Sequence, residues 1–162
     1  MEAQDLGAQL HAELLARGKM IASAESITGG GLGDLLTAAP GASETYLGGV
    51  VSYATAVKQQ LLGVTDETVE KEGVVSAACA REMAVGIRDL LKADFGVSTT
   101  GVAGPTEQEG KPVGLVYVGV AGPRGVRTVE LKLDGERAEI RDQACIEAVR
   151  TVMESVVDPD QG

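Results

Sequence analysis

The first stretch of this sequence that could do chemistry is a serine followed closely by three glycines. Residues 24–31 read Ala-Glu-Ser-Ile-Thr-Gly-Gly-Gly, after a short apolar stretch and before a helical pattern. Ser26 could act there as a nucleophile, while backbone N–H groups at the start of the helix could hold an oxyanion or a phosphate. Those N–H groups belong to Gly29, Gly30 and Gly31. The alternative is that Ser26 or Thr28 only caps the helix, which is a common role of both residue types.

A serine is a weak nucleophile until a base removes its proton, and here the best candidate for that base is a lysine. The only histidine, His11, lies on the first predicted helix, where a surface role is expected. Lys58 lies about one helical turn after the strand that ends near Tyr53. It would be neutral at pH 7 only if burial lowered its pKa by several units. A solvated Lys58 without a role in catalysis is the competing interpretation.

The predicted elements bring these residues to one edge of a β-sheet. Residues 20–53 read as strand, helix and strand, a unit whose two strands run parallel and therefore end at the same edge. Strand 95–100, if it is parallel to both, adds Thr100 and Gly101 to that edge. Ligands of open α/β sheets bind at the carboxyl ends of the strands. The sequence therefore predicts one crevice lined by Ser26, Tyr53, Lys58, Thr100 and Gly101.

Two further groups of residues complete the candidate site. The turn Gly-Val-Ala-Gly-Pro after the third strand brings Ala103 and Gly104 to the same edge, although a tight turn without a ligand explains the same residues. Arg137 and Arg141 are spaced i, i+4 at the start of the last predicted helix. They could neutralise an anionic ligand, for which arginine is well suited, or they could pair with surface carboxylates.

The pattern over residues 1–162 predicts a single domain. Apolar residues make up 44% of the chain but include only one phenylalanine, so the core must consist of Val, Leu, Ile and Ala. Helices are expected at about 4–17, 30–40, 54–62, 76–92 and 136–156, and strands at about 20–24, 47–53, 95–100, 115–120 and 126–133. These elements predict an α/β fold, a three-layer α/β/α sandwich with a mixed, mostly parallel sheet.

Composition excludes several classes of partner. The chain carries 14 basic and 24 acidic residues, a net charge of −10, which argues against nucleic acid because a polyanion requires a basic surface. No Cys/His cluster indicates a metal site, and no motif indicates a cofactor. No apolar run is long enough to cross a membrane, and the N-terminus lacks the apolar region of a signal peptide. We therefore expect a cytoplasmic protein that binds a small molecule.

Five ordered motifs, taken together, resemble the CinA C-terminal domain family, whose stand-alone members are nicotinamide mononucleotide amidohydrolases of the PncC type. The motifs are AESITGG from Ala24, YATAVK from Tyr53, GVVS from Gly73, TGVAGP from Thr100 and KPVG from Lys111. The resemblance implies an α/β/α sandwich that hydrolyses the carboxamide of nicotinamide mononucleotide to nicotinate mononucleotide and ammonia. It also implies a Ser/Lys dyad without a metal, and a homodimer or higher homo-oligomer.

The family serine falls on Ser26 and the family lysine on Lys58. In the mechanism that the resemblance implies, Lys58 takes the Ser26 proton, and Ser26 attacks the amide carbon to form an acyl-enzyme. Tyr53 and Thr100 would orient the dyad or the amide. Backbone amides near Gly29 to Gly31 or at Gly101 would stabilise the oxyanion. Arg141, with Arg137 behind it, would neutralise the 5′-phosphate of the substrate.

The sequence departs from the family pattern at two places. Thr55 stands where the family usually has asparagine, and residues 106–110 read Thr-Glu-Gln-Glu-Gly where the family usually has a Gly-Gly pair. An acidic loop beside a phosphate is unfavourable unless its carboxylates point away. Two alternatives therefore stay open: a catalytically silent ligand-binding or regulatory module of the same fold, and an amidase that acts on another small amide.

Overall fold

A mixed five-stranded sheet forms the centre of the computed structural model, which describes residues 2–158. The strands are β1 (Ile21–Glu25), β2 (Tyr46–Val51), β3 (Phe95–Gly101), β4 (Leu115–Ala121) and β5 (Val126–Lys132), in the order β2-β1-β3-β4-β5. Strand β1 pairs in parallel with both β2 and β3, whereas β3, β4 and β5 pair antiparallel. Only β4 runs against the other strands, and the predicted mixed sheet is confirmed.

Helices cover both faces of this sheet, as the three-layer prediction requires. They are α1 (Ala3–Arg17), α2 (Gly31–Leu36), α3 (Thr55–Leu62), α4 (Asp66–Lys71), α5 (Ala77–Leu91) and α6 (Arg137–Val157). One core cluster joins α1, α2 and α6 to one face of the sheet, and another joins α3 and α5 to the opposite face. Within residues 2–158 no helix is both long enough and apolar enough to span a bilayer.

Close packing at two glycines determines where α5 and α3 lie. A Cβ atom on Gly119 of β4 would lie 2.4 Å from the Ala80 carbonyl oxygen of α5, so the helix backbone approaches the strand directly. A Cβ atom on Gly86 of α5 would lie only 2.0 Å from the Leu62 carbonyl oxygen at the end of α3. Helix α3 is thereby held against α5, and this packing determines the position of Lys58 on α3.

Two boundaries differ from the prediction. Helix α2 ends at Leu36, before the expected end near residue 40, and a 3₁₀ turn at Ala42–Glu44 follows. The Thr37 hydroxyl lies 3.0 Å from both the Gly33 and the Asp34 carbonyl oxygens and shares its single proton between them at the end of the helix. Strand β2 ends at Val51, so that Ser52 and Tyr53 form the connection to α3.

Candidate active site

A crevice lies at the carboxyl ends of β1 and β3, where the sequence predicts it. Its lining includes eight of the predicted site residues: Ser26, Tyr53, Lys58, Thr100, Gly101, Ala103, Gly104 and Arg137. The cavity has a volume of about 130 Å³. Sites that enclose a drug-sized ligand are larger, roughly 300–1,000 Å³, so this cavity can enclose only part of a nucleotide-sized ligand. Thr55, one of the departures from the family pattern, also lines it.

Lys58 has the environment of a lysine that can work as a base. Its side chain is 1% exposed, and Nζ donates hydrogen bonds to the carbonyl oxygens of Ser52 (2.8 Å) and Tyr53 (3.0 Å). Burial lowers the pKa of Lys58 from its ordinary value of 10.5. A neutral amine has two N–H bonds and one lone pair. With both N–H groups donated to these carbonyls, the lone pair is left to accept a proton.

Ser26 lies on the turn that follows β1 and is tied to the same framework. Its backbone N–H donates to the Thr99 carbonyl (3.0 Å), while its hydroxyl makes no hydrogen bond within residues 2–158. The preceding carbonyl, that of Glu25, accepts from both the backbone N–H (2.7 Å) and the hydroxyl (3.1 Å) of Ser52. The Ser52 carbonyl in turn accepts a hydrogen bond from the Lys58 amine. Ser52 therefore connects the backbone just before Ser26 to this amine.

The glycine N–H groups that the sequence suggested as oxyanion donors are already hydrogen-bonded, which corrects that expectation. The buried Glu25 carboxylate accepts from the N–H groups of Gly30 (3.0 Å), Leu32 (2.9 Å) and Gly33 (3.0 Å) and from the Thr28 hydroxyl (2.6 Å). The remaining two glycine N–H groups bond within the turn, Gly29 to the Ser26 carbonyl and Gly31 to the Thr28 carbonyl. Thr28 and these glycines do not line the crevice.

Sequence reasoning missed Glu25, although a signal for it was present. An acidic residue just before a glycine-rich helix start is favoured by the partial positive charge of the helix N-terminus. In the structure Glu25 is the last residue of β1 and is only 3% exposed. A buried carboxylate is stable only when its oxygens are hydrogen-bonded, and four donors provide these bonds. Glu25 therefore determines the course of the chain on both sides of Ser26.

Other backbone N–H groups at the crevice are free to stabilise an oxyanion. In the described part of the chain, those of Ile27, Ala103 and Gly104 have no hydrogen-bond acceptor, and all three residues are buried and line the crevice. Buried N–H groups without an acceptor are rare in folded proteins. Ile27 directly follows Ser26, the position that supplies an oxyanion donor in nucleophile-elbow hydrolases. These N–H groups replace the glycine donors as candidates.

Thr100 and Tyr53 support the crevice but make no hydrogen bond to the Ser26 hydroxyl. The Thr100 hydroxyl donates to the Val74 carbonyl (2.6 Å) and so holds a segment of the crevice wall. The Tyr53 side chain is 64% exposed at the mouth, and its hydroxyl accepts a long hydrogen bond from Arg137 (3.5 Å). The contact of Tyr53 with Lys58 is made by its backbone carbonyl.

The two arginines exchange the roles that the sequence suggested. Arg137 lines the crevice, and its Nη1 donates to the Gly104 carbonyl (2.7 Å). Arg141 lies outside it, in a shallow cavity beside Thr28, and donates to the carbonyls of Ile27 (3.1 Å) and Thr28 (3.3 Å). Arg141 therefore supports the turn after Ser26, and Arg137 is the cation that a ligand in the crevice can reach.

The acidic loop turns its carboxylates away from the crevice. Thr106 and Gln108 line it, whereas Glu107 and Glu109 do not. The Glu109 carboxylate accepts from the N–H groups of Val74 and Val75, both at 3.0 Å. Partial burial raises the pKa of Glu109, but these two hydrogen bonds and nearby Lys111 outweigh it and lower the pKa below its ordinary value. The unfavourable electrostatic contact with a phosphate is therefore avoided at Glu109.

The two thiols are buried, and the described residues contain no group of side chains suited to a metal ion. Burial raises the pKa of both cysteine thiols, Cys79 and Cys145, to about 12, so neither forms a thiolate near neutral pH. Among the residues that the structure describes, no three His, Cys, Asp or Glu side chains are grouped to hold a metal ion. Because Ser26 and Lys58 line one crevice and burial lowers the pKa of Lys58, the arrangement can support serine-based acyl transfer with Lys58 as the base.

Comparison with other sequences identifies the family. A model of the CinA C-terminal domain matches residues 3–156. The chain is 49% identical over 139 residues to a CinA-like protein of Frankia casuarinae, which covers 86% of this chain and 32% of that protein. It is 51% identical over 133 residues to a CinA-like protein of a Synechococcus species, with 82% and 31% covered. The chain spans about a third of the length of these curated relatives.

Comparison with solved structures leads to the same family as comparison with sequences. Competence damage-inducible protein A from Klebsiella pneumoniae superposes with a TM-score of 0.94 at 31% identity, covering 98% of this chain and 99% of that one. The competence/damage inducible protein CihA from Agrobacterium tumefaciens superposes with a TM-score of 0.91 at 33% identity, covering 96% of each chain. The sequence motifs, the sheet order and these comparisons lead to one assignment. The chain belongs to the CinA C-terminal domain family.

Proposed function

We propose that this domain hydrolyses the carboxamide of nicotinamide mononucleotide to nicotinate mononucleotide and ammonia, a reaction of pyridine nucleotide salvage. The observation that carries the proposal is the state of Lys58 beside Ser26. Lys58 is buried, its pKa is lowered, and its amine is oriented by the Ser52 and Tyr53 carbonyls at the wall of the crevice that Ser26 also lines. Amide hydrolysis through an acyl-enzyme needs such a base next to a nucleophile.

The reaction proceeds in two halves. Neutral Lys58 takes the proton of the Ser26 hydroxyl, and Oγ forms a bond to the amide carbon while the amide oxygen becomes an oxyanion. The free N–H groups of Ile27, Ala103 and Gly104 supply the donors for that oxyanion. The Lys58 ammonium then gives its proton to the amide nitrogen, which leaves as ammonia. In the second half Lys58 takes a proton from water, the hydroxide attacks the ester, and nicotinate mononucleotide leaves as Ser26 regains its proton.

Charge and volume support a phosphorylated substrate with an amide head. The cavity of about 130 Å³ suits the amide-bearing ring, while ribose and phosphate remain at its mouth. Arg137 lies at this mouth, between the Gly104 carbonyl and the Tyr53 hydroxyl. In a protein of net charge −10, a phosphate needs such a local cation, and the planar guanidinium can bind it with two hydrogen bonds.

One observation favours a second function, that of a ligand-binding module without catalysis. The Ser26 hydroxyl makes no hydrogen bond to Lys58 among residues 2–158, so the proton transfer requires the ligand or a small rearrangement to bring the two groups together. Catalytic hydrogen bonds are often long before the substrate binds. A module that binds the nucleotide without cleaving it would have the same crevice and the same Arg137.

A panel of related amides tests the proposal. Purified protein is incubated with nicotinamide mononucleotide, nicotinamide riboside, nicotinamide and glutamine, and ammonia and the acid product are measured. We expect turnover of the mononucleotide and much weaker turnover of the riboside, which lacks the phosphate that Arg137 would bind. Turnover of glutamine alone would indicate an amidase for another small amide. Calorimetric binding of the mononucleotide without ammonia release would instead support the binding module.

A further inference from the structure

One wall of the crevice is a short segment whose backbone is held by side chains from elsewhere in the chain. This segment, residues 72–75, precedes α5 and contributes Val74 to the crevice lining. The Glu109 carboxylate accepts from the Val74 and Val75 N–H groups, both at 3.0 Å. Lys111 donates to the carbonyls of Glu72 (2.8 Å) and Val75. We call the Glu109 and Lys111 side chains the clamp.

The clamp holds the turn at residues 108–111 against the segment at residues 72–75. The Lys111 ammonium and the Glu109 carboxylate lie 3.6 Å apart, so each charge is partly neutralised by the other. Glu109 has a φ of 56°, a conformation that a residue with a side chain seldom adopts, and it places the carboxylate over Gly73. A Cβ atom on Gly73 would lie 2.6 Å from Oε1 of Glu109, so only glycine allows this approach.

The same turn carries a side chain into the crevice. Gln108, next to Glu109, lines the crevice, and its backbone pairs with that of Lys111 in both directions. The clamp therefore connects two parts of the wall, Val74 on one side and Gln108 on the other. None of its hydrogen bonds reaches Ser26, Lys58 or the carbonyls that hold Lys58.

We propose that Glu109 and Lys111 are positioning residues that determine how tightly the crevice binds the carboxamide substrate, without taking part in proton transfer. The inference rests on the proposed amidohydrolase function. The clamp acts on the ligand through Val74 and Gln108, which line the crevice, and its hydrogen bonds do not reach the dyad. Burial lowers the pKa of Lys58 and the Glu109 charge partly opposes this, so loss of that charge should shift the pH profile of kcat/KM to lower pH. A change in the clamp should therefore alter KM, while kcat and the reactivity of Ser26 stay as they are at a pH where Lys58 is neutral.

The chain offers a matched pair of variants for the test. Glu109→Gln keeps the size of the side chain but replaces one accepting oxygen by an NH₂ group, which faces a backbone N–H and cannot bond to it. Glu107→Gln makes the same change of charge two residues away, at an exposed residue that has no hydrogen bond or ion pair within residues 2–158. An effect of net charge appears in both variants, whereas the lost clamp bonds and the lower Lys58 pKa belong to the first alone, and the pH profile of kcat/KM separates these two effects.

We expect Glu109→Gln to raise KM for nicotinamide mononucleotide about tenfold, the effect of losing one charge-assisted hydrogen bond. On the high-pH plateau of each variant, where Lys58 is neutral, we expect kcat and the rate of Ser26 labelling by a small serine-reactive probe to stay within about twofold of the wild type, and Glu107→Gln to match the wild type throughout. An unchanged KM in Glu109→Gln would overturn the proposal. An equal loss of kcat and of Ser26 labelling would also overturn it, because the clamp would then support Ser26 and Lys58 themselves.

Amide hydrogen exchange separates a failure of this inference from a failure of the proposed function. In Glu109→Gln the Val74 and Val75 amides should exchange faster than in Glu107→Gln, and unchanged protection would refute the clamp whether or not the protein is an enzyme. If the wild type binds the mononucleotide without releasing ammonia, its Kd replaces KM in the comparison. If Glu109→Gln does not fold, Lys111→Met, which removes the bonds to the Glu72 and Val75 carbonyls, is tested for the same shift.

Discussion

Replacing Lys58 tests the proposed base most fully. Lys58→Arg keeps a long cationic side chain that cannot lose its proton, whereas Lys58→Met keeps the length of the stem and removes the amine. General base catalysis contributes roughly 10²–10⁴-fold to rate, so both variants should lose at least this factor in kcat/KM. Ammonia release at substrate concentrations well below KM, measured beside the wild type, gives the factor directly. Activity of Lys58→Arg within about tenfold of the wild type would refute Lys58 as the base.

The pH profile provides a second test of the same residue. Burial lowers the pKa of Lys58 below 10.5, and only the neutral amine accepts the Ser26 proton. The kcat/KM of the wild type should therefore rise with pH as Lys58 loses its proton, and the residual activity of Lys58→Met should lack this rise. A wild-type profile that falls over this range would contradict the assignment.

Stability should follow the same titration. Because the unfolded chain binds the Lys58 proton more tightly than the folded one, the free energy of unfolding rises with pH from the lowered folded pKa up to 10.5. Lys58→Met should remove this rise. Near pH 10.5, where the lowered pKa no longer reduces stability, loss of the hydrogen bonds to the Ser52 and Tyr53 carbonyls, about 1 kcal/mol each, should lower Tm by roughly 4–8 °C. A Tm of Lys58→Met equal to that of the wild type at this pH would contradict the hydrogen-bonding pattern.

Three further predictions concern residues that hold the fold around the crevice. Glu25→Gln should destabilise the protein by about 3 kcal/mol in thermal unfolding, because one oxygen that accepts backbone N–H groups is lost; a loss below about 1 kcal/mol would contradict this role. Gly119→Ala should lower Tm, since its Cβ would lie 2.4 Å from a helix carbonyl, whereas Gly125→Ala, with open space around it, should not. Cys79 and Cys145 should resist thiol reagents until the protein is denatured, and rapid labelling of the native protein would contradict their burial.

The sequence was sufficient to predict the layers of the fold and the presence of Ser26 and Lys58 at one crevice. Parallel strands joined by a right-handed crossover must end at one edge, so β1 and β2 bring Ser26 and the start of α3 to the same edge. The packing of α3 against α5 then places Lys58 at the crevice. The parallel pairing of β3 with β1, which the sequence could only suggest, adds Thr100 and Gly101. Periodicity and connection order carry this information, and they can be read without the structure.

The partners of the site residues could not be predicted in the same way. The glycine N–H groups looked available because the competing acceptor, the Glu25 carboxylate, is identified only when the turn is folded. Arg137 and Arg141 lie on one face of α6, and the packing of α6 against the sheet decides which of them reaches the crevice. The position of the Glu109 carboxylate depends on the lack of a side chain at Gly73, a residue distant in sequence. Each of these contacts is tertiary and leaves no periodic pattern.

The most direct test of the account is ammonia release from nicotinamide mononucleotide by the wild type, Ser26→Ala and Ser23→Ala. Ser23 is the matched control, because it lies on β1, the strand that leads to Ser26, and its hydroxyl bonds to that of Tyr46 (2.6 Å), away from the crevice. We expect release by the wild type and Ser23→Ala, and none above background from folded Ser26→Ala. Release by Ser26→Ala at the wild-type rate, or none from the wild type, would contradict Ser26 as the nucleophile of an amidohydrolase.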